Sequence, residues 1–392
     1  YRGIYLGGQN IDLETDKFVL KNATFSTCDL QDKHYRVTAA EINFYPKYGW
    51  LVAYWGYFWL GPVPVVPMPT YIYDMMAEEK ARKNLAPFPE FGSNDDDGWY
   101  VNERLAWHIR RELSGSYSIS YAEKKGLGLG VEADYIINDS SNGNARVYGN
   151  AYDGMWGGIT HRFLFGDEIK EKDSQFGLFF ALPRYRQYEL ETTISHRERI
   201  NYQRVSMYPD VALKTRQVKL FFDEASYDAQ LKVGLIDEED NIRLERGSAE
   251  FNLYWDFPEI EIGDITPSVG LDASFYSNST RWIKSTGGLN LRKVFSENLI
   301  FGLGYLHYFL VKDQSPFLFE MYRFDKSDRL TSDLFFMVGE TGVGIAASYF
   351  VDRWEPEDID YSLFFKGHCY NLVVTYRSLR REFQLGFGLS GG

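Results

Sequence analysis

The 392-residue chain has little cysteine, no long apolar run and no excess of positive charge. Its two cysteines, Cys28 and Cys369, are too few for a disulfide-dense scaffold. They stand near opposite ends, either as one long-range bridge or as two buried thiols. No stretch reaches the roughly 18 apolar residues of a membrane-spanning helix. The most apolar stretch, Trp50 to Met68, is broken by Gly61, Pro62, Pro64 and Pro67. Forty-two Lys and Arg against 55 Asp and Glu leave a net charge of −13, which speaks against a nucleic-acid partner. Tyr1-Arg2-Gly3 is no initiator context, so the chain is expected to be a trimmed or mature fragment. The six histidines show no His-x-x-x-His spacing, and there is no Gly-x-Ser-x-Gly elbow. Gly126, Gly128, Gly130, Gly302 and Gly304 alternate with apolar residues inside strand patterns and precede no helix, which excludes a phosphate-binding loop. No catalytic residue, metal or other cofactor is expected.

Aromatics are abundant. Tyr, Phe and Trp make up 17% of the chain, yet mean hydropathy is only −0.35. A period of two explains both values. Leu127, Leu129, Val131, Ala133, Tyr135 and Ile137 alternate with Gly128, Gly130, Glu132, Asp134, Ile136 and Asn138. The rhythm returns at Ala249–Phe257, Leu299–Tyr305 and Val343–Tyr349. Turn signals such as Asn138–Gly143 and Asp237–Asn241 separate the runs. Strands of this length with an apolar and a polar face, aromatic-rich and continuous for most of the chain, predict a transmembrane antiparallel β-barrel of about 18 strands, within a range of about 16–22. A soluble β-sandwich or propeller alternates in the same way. Ser116, Ser118 and Ser120 read as a water-facing row, and Asp95–Asp97 and Glu238–Asp240 as solvated loops.

The first 70 residues differ. Trp50, Val52, Tyr54, Phe58 and Leu60 are assigned to one strand face, and Leu51, Ala53, Trp55, Tyr57 and Trp59 to the other. A strand apolar on both faces is normally sandwiched. The proline-rich block Gly61–Pro69 is expected to end any central strand, and Asp74–Asn84 is the only helix-like stretch. The expected division is 1–70 as one β-domain, 71–97 as a linker with a proline hinge, and 98–392 as the barrel.

Several segments together resemble one family. Ala23-Thr24-Phe25-Ser26-Thr27-Cys28, Tyr35–Ile42 and Gly61-Pro62-Val63-Pro64 resemble the junction region of the lipopolysaccharide-assembly outer-membrane protein (LptD, or organic solvent tolerance protein) family. Asn201-Tyr202-Gln203-Arg204 with Pro209 resembles a mid-barrel strand. Asp360-Tyr361 through Cys369-Tyr370, followed by Tyr376-Arg377, resembles the C-terminal strands. The chain departs from the pattern where His368 precedes a single Cys369, the family often having two adjacent cysteines there.

The resemblance implies that residues 1–70 are the C-terminal part of a periplasmic β-jellyroll acting as a lipid slide, from which the N-terminal portion is missing. It implies a Cys28–Cys369 disulfide tying that slide to the barrel seam. It implies a lateral gate between first and last strands, with Pro87 matching a gate proline and Pro89, Pro62 and Pro64 as further hinge candidates. A second gate proline is replaced by Ala106. Trp50, Val52, Tyr54, Phe58 and Leu60 are candidates for contact with lipid tails, although core packing accounts for them equally well. The function so implied is non-catalytic insertion of lipopolysaccharide into the outer leaflet of the outer membrane, with a plug lipoprotein (LptE-type), a periplasmic bridge protein (LptA-type) and membrane lipids as partners. A passive porin with a periplasmic appendage, or a barrel enzyme such as a lipase, are the competing readings.

Overall fold

The computed structural model describes residues 4–47, 49–74, 88–110, 112–168, 186–215, 218–220, 224–255, 257, 263–296 and 298–389. Pro87 and nearly all of the helix-like stretch ending at Asn84 lie outside them.

Among the described residues the strands form two antiparallel sheets. The first contains β1 (Tyr5–Gly7), β2 (Asn10–Leu13), β3 (Phe18–Ser26), β4 (Tyr35–Tyr45), β5 (Trp50–Leu60) and β6 (Val63–Asp74). Their order is β1-β3-β4-β5-β6, with β2 also against β3. β5 and β6 meet at a two-residue turn with Gly61 at φ +52°, the conformation a II′-type hairpin asks of its first turn residue. The proline-rich block does not end the sheet. It runs on as β6, which carries Pro64, Pro67 and Pro69 and among the described residues pairs only with β5. An edge strand tolerates prolines because its outer N–H groups need no partner.

A row of residues crosses this sheet and inverts its pleat. Ladder partners run Lys21↔Glu41 and Ala23↔Ala39, then Ala39↔Gly56 and Glu41↔Tyr54, then Tyr54↔Thr70 and Gly56↔Met68. Asn22, Ala40, Trp55 and Pro69 fill the intervening positions, with Asn22 at φ +47° and Trp55 at φ +53°. On either side of this row the core-facing parity switches, from Leu20 to Ala23, Ala39 to Ile42, Ala53 to Phe58 and Met68 to Tyr71. All four strands switch at the same row, so register survives while the faces exchange. The single-face assignment of Trp50, Val52, Tyr54, Phe58 and Leu60 is therefore corrected. Phe58 and Leu60 join the core with Leu51 and Ala53, whereas Val52 and Tyr54 face the other way.

The second sheet closes on itself. It begins with β7 (Glu90–Asn94), ahead of the expected start at 98, and β8 (Gly98–Arg110), and ends with Glu382–Leu389. Val218–Lys219 continues Gln203–Thr215 against Ala225–Glu238, giving 18 strands among the described residues. The alternation places Tyr117, Ile119, Tyr121, Leu127, Leu129 and Val131 on the exposed outer wall, while Ser114 and Ser116 are buried on the inner one. This is the apolar-out, polar-in plan of a barrel in lipid.

The end of the barrel away from the first sheet is partly covered. The connection before Arg329–Val338 carries α1 (Leu318–Met321) and packs Phe317 and Phe319 against Val205, Ile236, Tyr276 and Trp282. Glu238 is buried and accepts the backbone N–H groups of Leu318 (2.9 Å) and Phe319 (2.7 Å), which α1 cannot satisfy internally. Glu238 is thus no solvated loop residue.

Gly56 sits beside the inverted row, where a Cβ would collide with the Thr38 carbonyl. Gly56→Val is expected to destabilise the first sheet by about 1–3 kcal/mol, read as accelerated proteolysis of that sheet. Gly7→Val, with open space around its Cβ position, is expected to have no effect.

Candidate functional site: the barrel seam and the sheet bound to it

Among the described residues, the seam is the shortest pairing along the barrel wall apart from the two-residue Val218–Lys219 segment. β7 meets the last strand at three positions, Phe383↔Ser93, Gln384↔Gly92 and Leu385↔Phe91. The last strand pairs with its other neighbour along its whole length, from Tyr370↔Leu389 to Arg377↔Glu382. Extending the seam register would set Phe387 opposite Pro89, whose nitrogen has no hydrogen to donate. Pro89 lies immediately before β7 and so marks where the ladder stops. At Gly92 the strands approach so closely that a Cβ would strike the Tyr100 ring and the Phe383 carbonyl.

Below the short ladder, aromatic rings replace hydrogen bonds. Phe387 lies 4.9 Å from Phe88, 5.7 Å from Tyr370 and 6.4 Å from Phe58 between ring centroids. Phe58 belongs to the first sheet and is fully buried. One predicted lipid-contact residue therefore reaches the seam itself. Trp50, Val52 and Tyr54 pack instead toward β8: Tyr54 Oη and His108 Nδ1 are 3.1 Å apart, Trp50 packs edge-on to His108, and Val52 clusters with Ile72 and Ala106. Ala106 is thus where the first sheet rests on the barrel. Trp55 (75% exposed) and Tyr57 (50% exposed) leave apolar surface in solvent on the same strand.

Cys28 and Cys369 are disulfide-bonded, with Cα atoms 5.4 Å apart across 341 residues of sequence. Cys28 follows β3 in a segment fixed by side chains. Ser26 Oγ donates to the Tyr35 carbonyl (2.7 Å), Cys28 N donates to Ser26 Oγ (3.0 Å), and Lys33 Nζ donates to the Cys28 carbonyl (2.7 Å). Thr27 N donates to Tyr35 Oη (3.1 Å), and burial pushes the Tyr35 hydroxyl up to about 12, so it stays neutral. Cys369 sits in the turn just before Tyr370, next to the strand that forms the seam. The Gly61–Pro62 turn lies beside this junction, with Gly61 N donating to the His34 carbonyl (2.8 Å). Pro62 and Pro64 therefore belong to the anchor and the sheet edge, away from the seam ladder.

Inside the barrel, against the seam, is a polar cavity of about 730 Å³. Asp96, Asp97, Tyr100, Arg197, Arg199 and Arg204 are among its lining residues. Asp97 pairs with Lys125 (2.5 Å), Asp96 with Arg199, and Arg204 with Asp153. Asp96 and Asp97 thus meet cations across the mouth instead of standing free in solvent. A buried pairing of Arg246 with Asp210 (3.1 Å) and Glu320 (2.6 Å) ties the α1 connection to the wall. Sequence reading missed this arginine set because its partners are tens of residues away.

No protein-family model matches the chain. Among curated proteins, the LPS-assembly protein LptD of Xanthomonas campestris pv. campestris (strain 8004) is 24% identical over 167 residues, 43% of this chain and 18% of that protein. LptD of Pseudoalteromonas translucida is 25% identical over 133 residues, 34% of this chain and 17% of that one. The chain is similar to the LPS-assembly proteins LptD. Each match spans less than a fifth of the LptD relative. Among solved structures, Pseudomonas aeruginosa OccK11 aligns over 77% of this chain and 92% of its own, at a TM-score of 0.40 and 10% identity. A bacterial polysaccharide outer membrane secretin aligns over 77% and 95%, at 0.35 and 8%. With the closed barrel and its apolar outer wall, the LptD similarity makes this an outer-membrane-type β-barrel.

In the chain-entropy view the Cys28–Cys369 bond stabilises by roughly 5–6 kcal/mol. Reduction is expected to shift the mobility of the unfolded chain on denaturing gels, and Cys28→Ser is expected to abolish that shift. Identical migration of wild-type protein with and without reductant would contradict the bond.

Proposed function

We propose that this chain passes lipopolysaccharide from the periplasmic side into the outer leaflet by opening its seam sideways. The observation that carries the proposal is that, among the described residues, the ladder between β7 and the last strand has three positions and is continued by ring contacts around Phe387. Each missing ladder bond lowers the cost of separating two strands, and aromatic side chains can exchange one another for acyl chains. The lipid's two halves have different needs. Its tails require a continuous apolar path, for which the first sheet is suited through Phe58 and Leu60 on one face and the exposed Trp55 and Tyr57 on strand β5. Its phosphorylated sugars require a wet, cation-bearing space, for which the cavity with Arg197, Arg199 and Arg204 is suited.

In this reading residues 1–70 are the C-terminal part of a periplasmic jellyroll, and the disulfide holds its apolar face at the seam. Pro89 stands where the described seam ladder stops and sets where the gate begins, and the resemblance gives Pro87 a part in that gate. The exposed β1–β2 edge offers a strand template to a bridge protein of the LptA type. The lumen receives a plug lipoprotein of the LptE type. The chain carries no chemistry of its own in the process. The similarity to LptD supports this reading.

The test locks the seam. A Phe91→Cys/Leu385→Cys pair, placed at facing ladder positions, is crosslinked and lipopolysaccharide arriving at the cell surface is measured. Surface delivery is expected to fall at least about tenfold, while the locked barrel keeps its heat-modifiable mobility. Unchanged delivery in the locked protein, or a stable open conductance in the isolated barrel, would favour a passive porin.

A further inference from the structure

The Cys28–Cys369 junction contains more than two sulfurs. His34 and His368 converge on it, although nothing in their sequence spacing suggested a metal site. His34 Nδ1 lies 3.9 Å from Cys28 Sγ and 3.6 Å from Cys369 Sγ. His368 Nδ1 lies 3.0 Å from Cys369 Sγ. The ligand atoms of all four residues fall within 4.8 Å of one another. We propose that in the reduced chain Cys28, His34, His368 and Cys369 form a tetrahedral zinc site that holds the first sheet to the last hairpin in place of the disulfide.

Three observations carry this. The donor set is two thiolates and two imidazoles, a standard closed zinc set. With Zn–N near 2.0–2.1 Å and Zn–S near 2.3 Å, neighbouring ligand atoms of a tetrahedron lie about 3.3–3.8 Å apart. The present distances bracket that range, and spreading the sulfurs once their bond is broken supplies the remaining movement. The third observation is the carboxylate of Asp29, 3.3 Å from His368 Nε2. An Nε2–H donated to Asp29 leaves the Nδ1 lone pair facing the sulfurs, the tautomer a metal requires, and a carboxylate behind a ligating imidazole also raises its basicity. Both cysteines are buried, whereas both histidines are exposed, so an ion has a way in.

The two states exclude each other. Reduction by a dithiol or a phosphine adds two electrons and two protons across the sulfur–sulfur bond, and the reductant leaves as its disulfide or, after taking oxygen from water, as the phosphine oxide. Zinc then displaces the two thiol protons. Oxidation reverses this. A diazene oxidant takes two electrons from the thiolates and two protons from water to become the hydrazine, the S–S bond re-forms, and the ion departs because two imidazoles alone hold it weakly. The sheet thus remains tethered to the last hairpin in either redox state. The resemblance to LptD had implied a covalent tie alone.

The experiment uses the full chain in detergent, reduced with a phosphine and then freed of it. Addition of Co²⁺ is expected to give the visible bands of tetrahedral cobalt together with a thiolate-to-cobalt band. Zn²⁺ is expected to erase both at about one ion per chain. The oxidised protein is expected to show neither, and diamide is expected to release bound zinc. His34→Gln/His368→Gln, checked for intact barrel mobility, is expected to weaken cobalt binding at least about a hundredfold. Bound zinc is also expected to restore protease resistance to the first sheet of the reduced wild-type protein. Reduced wild-type protein without tetrahedral cobalt bands, or equal binding by the double variant, would overturn the proposal.

Discussion

The last strand of the barrel is bound firmly on one side and weakly on the other, and the rest of the molecule is arranged around that asymmetry. Its inner neighbour holds it at every position from Tyr370 to Arg377. Among the described residues β7 holds it at three. Closure of the cylinder therefore rests on a short ladder near one end and on rings gathered about Phe387 near the other. Strand pairing in a barrel is cooperative because an opened edge in lipid exposes unpaired N–H and C=O groups at a cost of several kcal/mol each. A seam with few such groups to lose is where that cost is smallest.

The disulfide has its meaning in this setting. Cys369 belongs to the turn that launches the penultimate strand, and Cys28 follows β3 of the first sheet. The bond therefore fixes the position of an apolar sheet relative to the weak side of the barrel. Phe58, buried in that sheet's core, touches Phe387 across the junction. The cavity lined by Arg197, Arg199 and Arg204 lies on the lumen side of the same seam.

The barrel was legible in the sequence because period two is a local signal that survives in every strand: alternation around Leu127–Ile137 and the turns at Asn138–Gly143 need no tertiary information. The strand number followed from counting such runs. The first sheet was only partly legible. Its composition announced apolar strands, but the row Asn22–Ala40–Trp55–Pro69 inverts the pleat in four strands at once, and a reading that assumes unbroken alternation assigns half of β5 to the wrong face. The proline block misled for a related reason, since edge position depends on which strands assemble next to β6. Long-range clusters were invisible altogether. Arg246 finds Asp210 and Glu320, and His34 finds Cys369, only after the barrel closes. Residue spacing along the chain carries no trace of such meetings.

Strand-resolved hydrogen exchange of the protein in bilayer nanodiscs tests the central claim most directly. The account predicts that amides of β7 and of the seam-facing edge of Glu382–Leu389 exchange at least about a hundredfold faster than those of Ile242–Trp255 on the opposite wall, because fewer bonds must break to expose them. Uniform protection around the whole cylinder, seam included, would contradict it.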